Sequence, residues 1–185
     1  MAAKRPKKTS KAKKAKGAPS RAANAQPKPR TVTPYLAVNN AVEAIEWYKR
    51  ALGAKEQDRQ LEPSGKVMHA SLKIGDSQVF LSDMFPGTDM RDPLNVGGST
   101  VYLHVFSKDI QKIWKSAVEA GARVTMPLAV QFWGDRYGKL QDPFGHSWGF
   151  SYPAKVNATE KERLRVEAMK QMGQGDPPGT TQGTM

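Results

Sequence analysis

Few side chains in this 185-residue sequence are suited to catalysis or metal binding. It has no cysteine and only three histidines, His69, His104 and His146, which excludes thiolate catalysis, disulfides and zinc-thiolate sites. Two of these imidazoles with one carboxylate, Asp83 or Asp135, would form the two-His, one-carboxylate set that binds a divalent metal with open positions. The alternative is that each imidazole is simply hydrogen-bonded within the fold.

A second candidate is the segment Gln131–Tyr137, which combines an amide, aromatic rings and a guanidinium. Such a mixture suits the rim of a pocket, where the ring of Trp133 gives apolar contact and Arg136 binds a carboxylate or phosphate. The alternative is structural: an ion pair between Asp135 and Arg136 fixes the loop, and Trp133 fills the core. Both interpretations stay open at the level of sequence.

The segment Asp142-Pro-Phe-Gly145 predicts structure rather than chemistry. Proline and glycine each have a role in turns, so the segment indicates a turn followed by packing. His146 comes directly after this turn, and a structural hydrogen bond is expected of it.

An internal repeat organises the elements that must position these residues. The strand-like TPYLAV that begins at Thr33 recurs 67 residues later as TVYLHV, beginning at Thr100. An amphipathic helix follows each copy. The first is capped by Asn40 with Glu43 and ends at Gly53, and its predicted buried face carries Val42, Ile45, Tyr48 and Leu52. The second is capped by Asp109 and ends at Gly121, with Ile110, Ile113, Ala117 and Val118 on its buried face.

Three strand-like runs follow each helix, so each copy is predicted to be βαβββ. The runs are Glu56–Leu61, Val67–Ile74 and Gln78–Asp83 in the first copy, and Val124–Met126, Tyr137–Gln141 and Ser147–Tyr152 in the second. One copy cannot bury a helix and a sheet face alone, so the two are expected to share a core. We therefore predict an α+β domain over 32–153, with modules at 32–98 and 99–153.

Three motifs carry a resemblance to a known family: VNNAVEAIEWY at Val38–Tyr48, QFWGDRYG at Gln131–Gly138, and DPFGHSW at Asp142–Trp148. With Met68-His69-Ala70 and the paired βαβββ units, they resemble the vicinal oxygen chelate superfamily. That superfamily includes glyoxalase I, extradiol dioxygenases, fosfomycin-resistance enzymes and bleomycin-binding proteins, and the likeness is greatest to its PhnB-like branch. The resemblance covers residues 32–153 and implies a cupped, mostly antiparallel sheet and a homodimer.

The resemblance also implies where a divalent metal would be held. The family's ligands are His, Gln or Glu from the first and last strands of each unit, and these positions fall on Thr33, Val79, Thr100 and Gly149. None of the four is a good ligand for a divalent metal. We therefore expect no metal cofactor, with a site using His69 or His104 as the alternative.

Strand alternation assigns the candidate binding residues to the cup. Leu36, Val38, Leu103 and Val105 form the apolar row that a helix should cover, which leaves the opposite row facing the cup. The predicted substrate-binding residues are Tyr35, His69, Tyr102, His104, Gln131, Trp133 and Arg136.

The two ends of the chain differ from the domain in composition. Residues 1–31 hold 11 of the 29 Lys and Arg residues and no acid, whereas the rest of the chain is nearly balanced. They contain no aromatic or branched aliphatic residue, so we predict that this arm is disordered. It would bind nucleic-acid phosphates non-specifically, or it is a solubilising extension without that role. Residues 154–185 are predicted to form a helix over Glu160–Met172, capped by Thr159, and a frayed tail.

The favoured function is binding of a small molecule in the cup without the usual divalent metal. One alternative is a divalent-metal lyase, isomerase or dioxygenase, so an enzymatic activity stays open. Another is a nucleic-acid-associated protein acting through residues 1–31. No run of about 18 apolar residues predicts a membrane span, and we expect a cytoplasmic protein.

Overall fold

The computed structural model describes residues 31–172, which form two modules with the same order of elements. The first consists of β1 (Tyr35–Val38), α1 (Ala41–Leu52), β2 (Lys55–Leu61), β3 (Val67–Ile74) and β4 (Ser77–Asp83). The second consists of β5 (Tyr102–Phe106), α3 (Ile110–Glu119), β6 (Arg123–Val130), β7 (Asp135–Gln141) and β8 (Ser147–Pro153). A short helix, α2 (Pro93–Val96), lies in the connection, and α4 (Ala158–Met172) follows the second module.

Each module forms its own four-stranded mixed sheet. The strand orders are β1-β4-β3-β2 and β5-β8-β7-β6, with the first strand of each module parallel to its last and the other neighbours antiparallel. This confirms the predicted α+β fold of two βαβββ modules. Within residues 31–172 no strand of one sheet pairs with a strand of the other, and the modules meet through helices α1 and α3 and through the turn at Asp142–His146.

Strand β6 is longer than the sequence predicts. The expected run was Val124–Met126, whereas the strand extends over Arg123–Val130. Pro127 breaks the apolar pattern, but the pairing with β7 absorbs it through register shifts on either side of Met126.

The predicted caps of α1 are confirmed, and the cap of α3 is wrong. Glu43 N donates to Asn40 Oδ1 at 3.2 Å, and Gly53 ends the helix in the left-handed conformation at φ 65°. Asp109 stands at the start of α3, but its side chain makes no capping hydrogen bond. Its own backbone N–H instead donates to Ser107 Oγ at 3.2 Å.

Helix α4 begins earlier than predicted. Its first residue is Ala158, and Asn157 Oδ1 accepts from Glu160 N at 2.9 Å. Asn157 therefore provides the cap that was assigned to Thr159, because an asparagine side chain reaches the third amide of the helix equally well. From Ala158 to Lys170 no residue of α4 is fully buried.

The core lies between the helices and the inner faces of the two sheets. Trp47 Nε1 of α1 donates to the carbonyl of Ala120 at 2.8 Å, which joins the first module to the end of α3. Val42 and Val118, placed on buried helix faces by their spacing, are 41% and 39% exposed. The preceding residue in each helix, Ala41 in α1 and Ala117 in α3, is fully buried. The buried face of each helix is therefore centred one residue before the valine.

A buried carboxylate joins the two modules at the predicted turn. Asp142 Oδ2 accepts from Tyr48 OH and from Trp148 Nε1, both at 2.8 Å, and Oδ1 accepts from the amides of Phe144 at 3.0 Å and His146 at 2.9 Å. Burial raises the pKa of Asp142 above its ordinary value, although these donors oppose the shift. Burial, together with the charge of Asp142, also raises the pKa of Tyr48.

His146 has the structural bond that the turn suggests. Its Nε2 donates to the carbonyl of Ala37 at 3.0 Å, and its side chain is buried. This bond satisfies a carbonyl of β1, which is an edge strand.

None of the helices in the described range is long and apolar enough to cross a membrane. The predicted disordered arm falls almost wholly on residues 1–30, and the predicted frayed tail on 173–185. Both segments lie outside the described residues, so the arm and the tail stay predictions.

Candidate functional site

The candidate site is built on the face of each sheet that lies opposite the helices, called the open face below. Alternation along β1 turns Leu36 and Val38 into the core and leaves Tyr35 on the open face, 44% exposed. Along β5 the same alternation leaves Tyr102 on the open face, 56% exposed. Both tyrosines thus lie on the face of the sheet that strand alternation predicts from the sequence.

On the first open face, Tyr35 contacts His69 across the sheet. Tyr35 OH lies 3.1 Å from His69 Nδ1, and the two ring centroids are 5.6 Å apart. Phe80 of β4 packs against both rings, with centroids at 5.9 Å from Tyr35 and 4.9 Å from His69. The result is a half-exposed aromatic cluster with one imidazole.

On the second open face, Tyr102 lies beside a lysine. Lys139 Nζ of β7 is 4.6 Å from the centroid of the Tyr102 ring, within the range of a cation–π contact. His104 stacks on Tyr137 with centroids 5.9 Å apart and planes inclined by 21°. Gly149 of β8 lies between them: a Cβ there would be 3.1 Å from His104 Nδ1 and 3.4 Å from Tyr137 OH.

The two open faces have equivalent arrangements. Ala70 pairs with Leu81, which places His69 opposite Ser82, and Ser82 pairs with Ala37 of β1. Lys139 pairs with Gly149, which in turn pairs with His104 of β5. In each module a tyrosine of the first strand therefore lies close to a basic side chain of the third strand. The last strand runs between these two strands and has a small residue, Ser82 or Gly149, next to the basic side chain.

The second open face borders a cleft. The cleft has a volume of about 630 Å³ and runs between the edge strand β5 and the β3–β4 hairpin. Tyr102 and His104 line it together with helix-side residues such as Leu52, Ile113 and Trp148, whereas Lys139, Tyr137 and Gly149 are not among its lining residues. Its size is that of a small-molecule site.

The structure separates the members of the predicted rim segment. Trp133 is 45% exposed, with its ring 5.7 Å from Tyr137 and 4.9 Å from Phe132, so it borders the second open face and does not fill the core. Gln131 stays in the β6–β7 turn, where its side-chain amide donates to the carbonyl of Ala129 at 3.5 Å.

Arg136 points away from the open face. It lines a separate cavity of about 600 Å³ near the start of α3, together with Lys108, Lys112 and Lys155. Strand β7 begins at Asp135, so Arg136 and its neighbour lie on opposite faces of the sheet. For the same reason, no ion pair between described residues joins Asp135 to Arg136.

The positions that the family resemblance assigns to a metal do not fit one. Gly149 has no side chain, and Val79 is buried on the helix side, 6% exposed. Alternation along β4 places Gln78, Phe80 and Ser82 on the open face, so the implied position at Val79 does not face the cup. The amide of Gln78 donates to Ser71 Oγ at 2.8 Å. Ser82 Oγ is already directed to Met90 Sδ at 4.0 Å.

The alternative metal triad is also not assembled within the chain. His69 and His104 lie on different sheets, and the carboxylate of Asp83 is occupied by the amides of Ala41 at 2.9 Å and Val67 at 2.7 Å. Asp135 accepts from Ser151 Oγ at 3.3 Å. Among residues 31–172 there is no group of three His, Asp or Glu side chains that could hold a metal ion.

Comparison with known proteins agrees with this fold. Residues 30–150 match the Glyoxalase/Bleomycin resistance protein/Dioxygenase superfamily, and the chain belongs to that superfamily. An uncharacterized protein of Mycobacterium tuberculosis is 38% identical over 148 residues, which is 78% of this chain and 85% of the relative.

Two solved structures illustrate the shared fold. A gene product of Arabidopsis thaliana is 28% identical with a TM-score of 0.54, over 66% of this chain and 98% of its own. The PhnB protein of Bacillus cereus is 17% identical with a TM-score of 0.52, over 66% of this chain and 99% of its own, and shows likeness of fold alone.

Lys139 and Phe80 were missed by sequence reasoning, and Tyr137 was not singled out within its segment. The signal for Lys139 was present: it lies two residues after Tyr137 and so shares its face of the strand. The predicted run Tyr137–Gln141 already contained both residues, but the sequence did not show that this face meets Tyr102.

Proposed function

We propose that this chain binds a small organic molecule on its open faces without a divalent metal ion. The observation that carries the proposal is the repeated arrangement of a tyrosine beside a basic nitrogen, Tyr35 with His69 and Tyr102 with Lys139. Aromatic rings with a few polar groups among them are the usual composition of a small-molecule site. The PhnB-like branch and a cytoplasmic location are part of this proposal.

The lack of fit to a metal supports the second half of the proposal. A divalent ion held by protein needs several oxygen or imidazole ligands converging on one point. On the open faces the corresponding places hold a serine, an alanine, a glycine and single imidazoles. A ligand there would be held by phenol, imidazole and ammonium groups and by contact with the rings.

A homodimer is also part of the proposal. The two open faces belong to separate sheets, and exposed rings line them: Tyr35, Tyr102 and Trp133 are 44%, 56% and 45% exposed. Apolar surface of this kind is favourably covered. In a dimer, the first open face of one protomer would lie against the second open face of its partner, and the ligand would be enclosed between them. Sedimentation velocity tests this, with a dimer expected and a monomer at all concentrations counting against it.

The binding proposal is tested with a neutral aromatic probe, N-phenyl-1-naphthylamine, whose fluorescence rises in apolar sites. The full chain is expected to bind it saturably. Because an aromatic contact is worth about 1 kcal/mol, Tyr102→Ala should weaken binding about fivefold. The matched control is Val118→Ala, which removes an exposed apolar side chain from α3 on the other side of the sheet. Binding that is absent, or that is equally affected by both variants, would contradict the proposal.

A further inference from the structure

On the basis of the proposed function, we infer that the ligand is an aromatic or planar organic anion whose acidic group lies between Lys139 and His104 on the second open face. The class includes carboxylates and sulfonates, and the shared chemistry is a negatively charged oxygen next to a ring.

The first observation is the position of a cation without a carboxylate partner. Lys139 Nζ lies over the ring of Tyr102 at 4.6 Å, and none of the ion pairs between described residues includes Lys139. The side chain is half-buried in the middle of a sheet, so its ammonium group is held close to a surface and is not free to extend into water. An ammonium in such a place favours an incoming anion.

The second observation is the space next to this cation. Gly149 pairs with Lys139 on one side and with His104 on the other, and it is the residue between them. A side chain there would meet His104 Nδ1 and Tyr137 OH within 3.4 Å. Because the position is a glycine, both polar atoms stay accessible from above the sheet, and an oxygen placed there can accept from Lys139, His104 and Tyr137.

The third observation is the difference between the two modules. At the equivalent place in the first module, His69 is directed to Tyr35 at 3.1 Å, and Ser82 is covered by Met90. Lys139, by contrast, has no ion-pair partner among the described residues and lies over the ring of Tyr102. The acidic end of a ligand is therefore expected on the second module.

The fourth observation is the apolar border of the second open face. The exposed rings of Trp133, Phe132 and Phe106 lie on it, at 45%, 36% and 63% exposure. A ligand with a ring next to its acidic group would place that ring against these side chains.

The test compares two probes that differ by one acidic group: 8-anilinonaphthalene-1-sulfonate and its neutral counterpart N-phenyl-1-naphthylamine. The full chain is expected to prefer the sulfonate by about tenfold, the value of a charge-assisted hydrogen bond. In Lys139→Met this preference should disappear while the neutral probe still binds. Lys139→Arg should retain it. The control Lys112→Met removes the same charge from exposed α3 and should leave the preference unchanged.

The outcomes separate this inference from the function on which it rests. If both probes bind equally well, or if the preference survives in Lys139→Met, the inference is wrong and small-molecule binding stands. If neither probe binds, both are wrong. Energy transfer from tryptophan to the bound sulfonate should fall in Trp133→Phe if the probe lies on the second open face, because Trp133 borders that face. Transfer that is unchanged in this variant would contradict the assignment.

Discussion

His69 and Lys139 occupy the same place in the two modules, each opposite a small residue of the last strand and beside the tyrosine of the first. The duplication has thus kept the tyrosine and a basic nitrogen and changed the kind of base. An imidazole bonded to its tyrosine and an ammonium over a ring differ in charge and in freedom to bind. The two open faces are therefore related in geometry but not in chemistry.

Replacing Gly149 should weaken binding at a modest cost in stability. In Gly149→Ala the new methyl group would lie 3.1 Å from His104 Nδ1 and 3.4 Å from Tyr137 OH. We expect the fluorescent sulfonate probe to bind several-fold more weakly, because the methyl group occupies the space between the two donors. The cost in unfolding free energy should be about 1 kcal/mol, since the neighbours can shift slightly.

The control for this variant is Gly98→Ala. A Cβ at Gly98 has no neighbour within 4 Å, so both probe binding and stability should stay near those of the parent chain. Equal binding by the Gly149→Ala protein and the parent would show that the floor of the second open face does not contact the probe.

The order of the elements could be predicted from the sequence, but the pairing of equivalent residues could not. The repeat relates Tyr35 to Tyr102 by 67 residues, and the same offset applied to His69 leads to Arg136. In the structure Lys139 holds that place, because the hairpin after β7 spans fewer residues between the paired positions than the hairpin after β3. Arg136 was assigned to the site as the guanidinium of the segment Gln131–Tyr137, and the repeat offset gave no reason to choose Lys139 instead.

The face of β4 was equally hard to predict. Val79, Phe80 and Leu81 are all apolar, so alternation alone does not indicate which of them is buried. Burial of Val79 and Leu81 under α1 decides it, and this depends on the position of a helix that is distant in sequence. On β1 the alternation is clear, because Leu36 and Val38 are large and apolar, whereas Tyr35 carries a hydroxyl group and Ala37 is small. The prediction that Leu36 and Val38 face the core is therefore confirmed.

The bond between Tyr48 and Asp142 should be important for stability. Tyr48→Phe leaves a buried carboxylate with one donor fewer, which costs about 1–3 kcal/mol in unfolding free energy measured with urea. Tyr152→Phe is the matched control, since Tyr152 OH makes no hydrogen bond within residues 31–172 and its ring contact with Phe106 is kept, and it should change stability by less than about 0.5 kcal/mol. Similar losses in the two variants would contradict a role of the bond in joining the modules.

Glu56 should give a pH-dependent contribution to stability. Burial favours its protonated form, but hydrogen bonds from Lys49 and Arg59 outweigh this and hold the pKa of Glu56 below its ordinary value. A lowered pKa in the folded state gives stability that is present above the ordinary pKa of a glutamate and is lost as the pH falls through the folded value. The gap in unfolding free energy between the parent and Glu56→Gln should therefore be largest at pH 7 and shrink below pH of about 4. A gap that grows on acidification would reverse the assigned sign.

The basic arm gives a prediction that is independent of the open faces. Residues 1–31 carry 11 cations and no acid, so binding of the full chain to duplex DNA at low salt should weaken steeply as salt rises. Deleting 1–31 should abolish it in an electrophoretic mobility assay. Deleting 173–185, which contain no Lys or Arg, is the control and should leave it intact. Binding that persists without residues 1–31 would show that the arm is not its cause.

Binding without a divalent metal is tested most directly by titrating the sulfonate probe into protein purified without chelator, before and after treatment with EDTA, with metal content measured on the same samples. The account predicts substoichiometric metal and the same affinity in both samples. It also predicts no gain in affinity on adding zinc, nickel, manganese or iron. Stoichiometric metal in the untreated protein, together with loss of probe binding after EDTA and recovery with one of these ions, would contradict it.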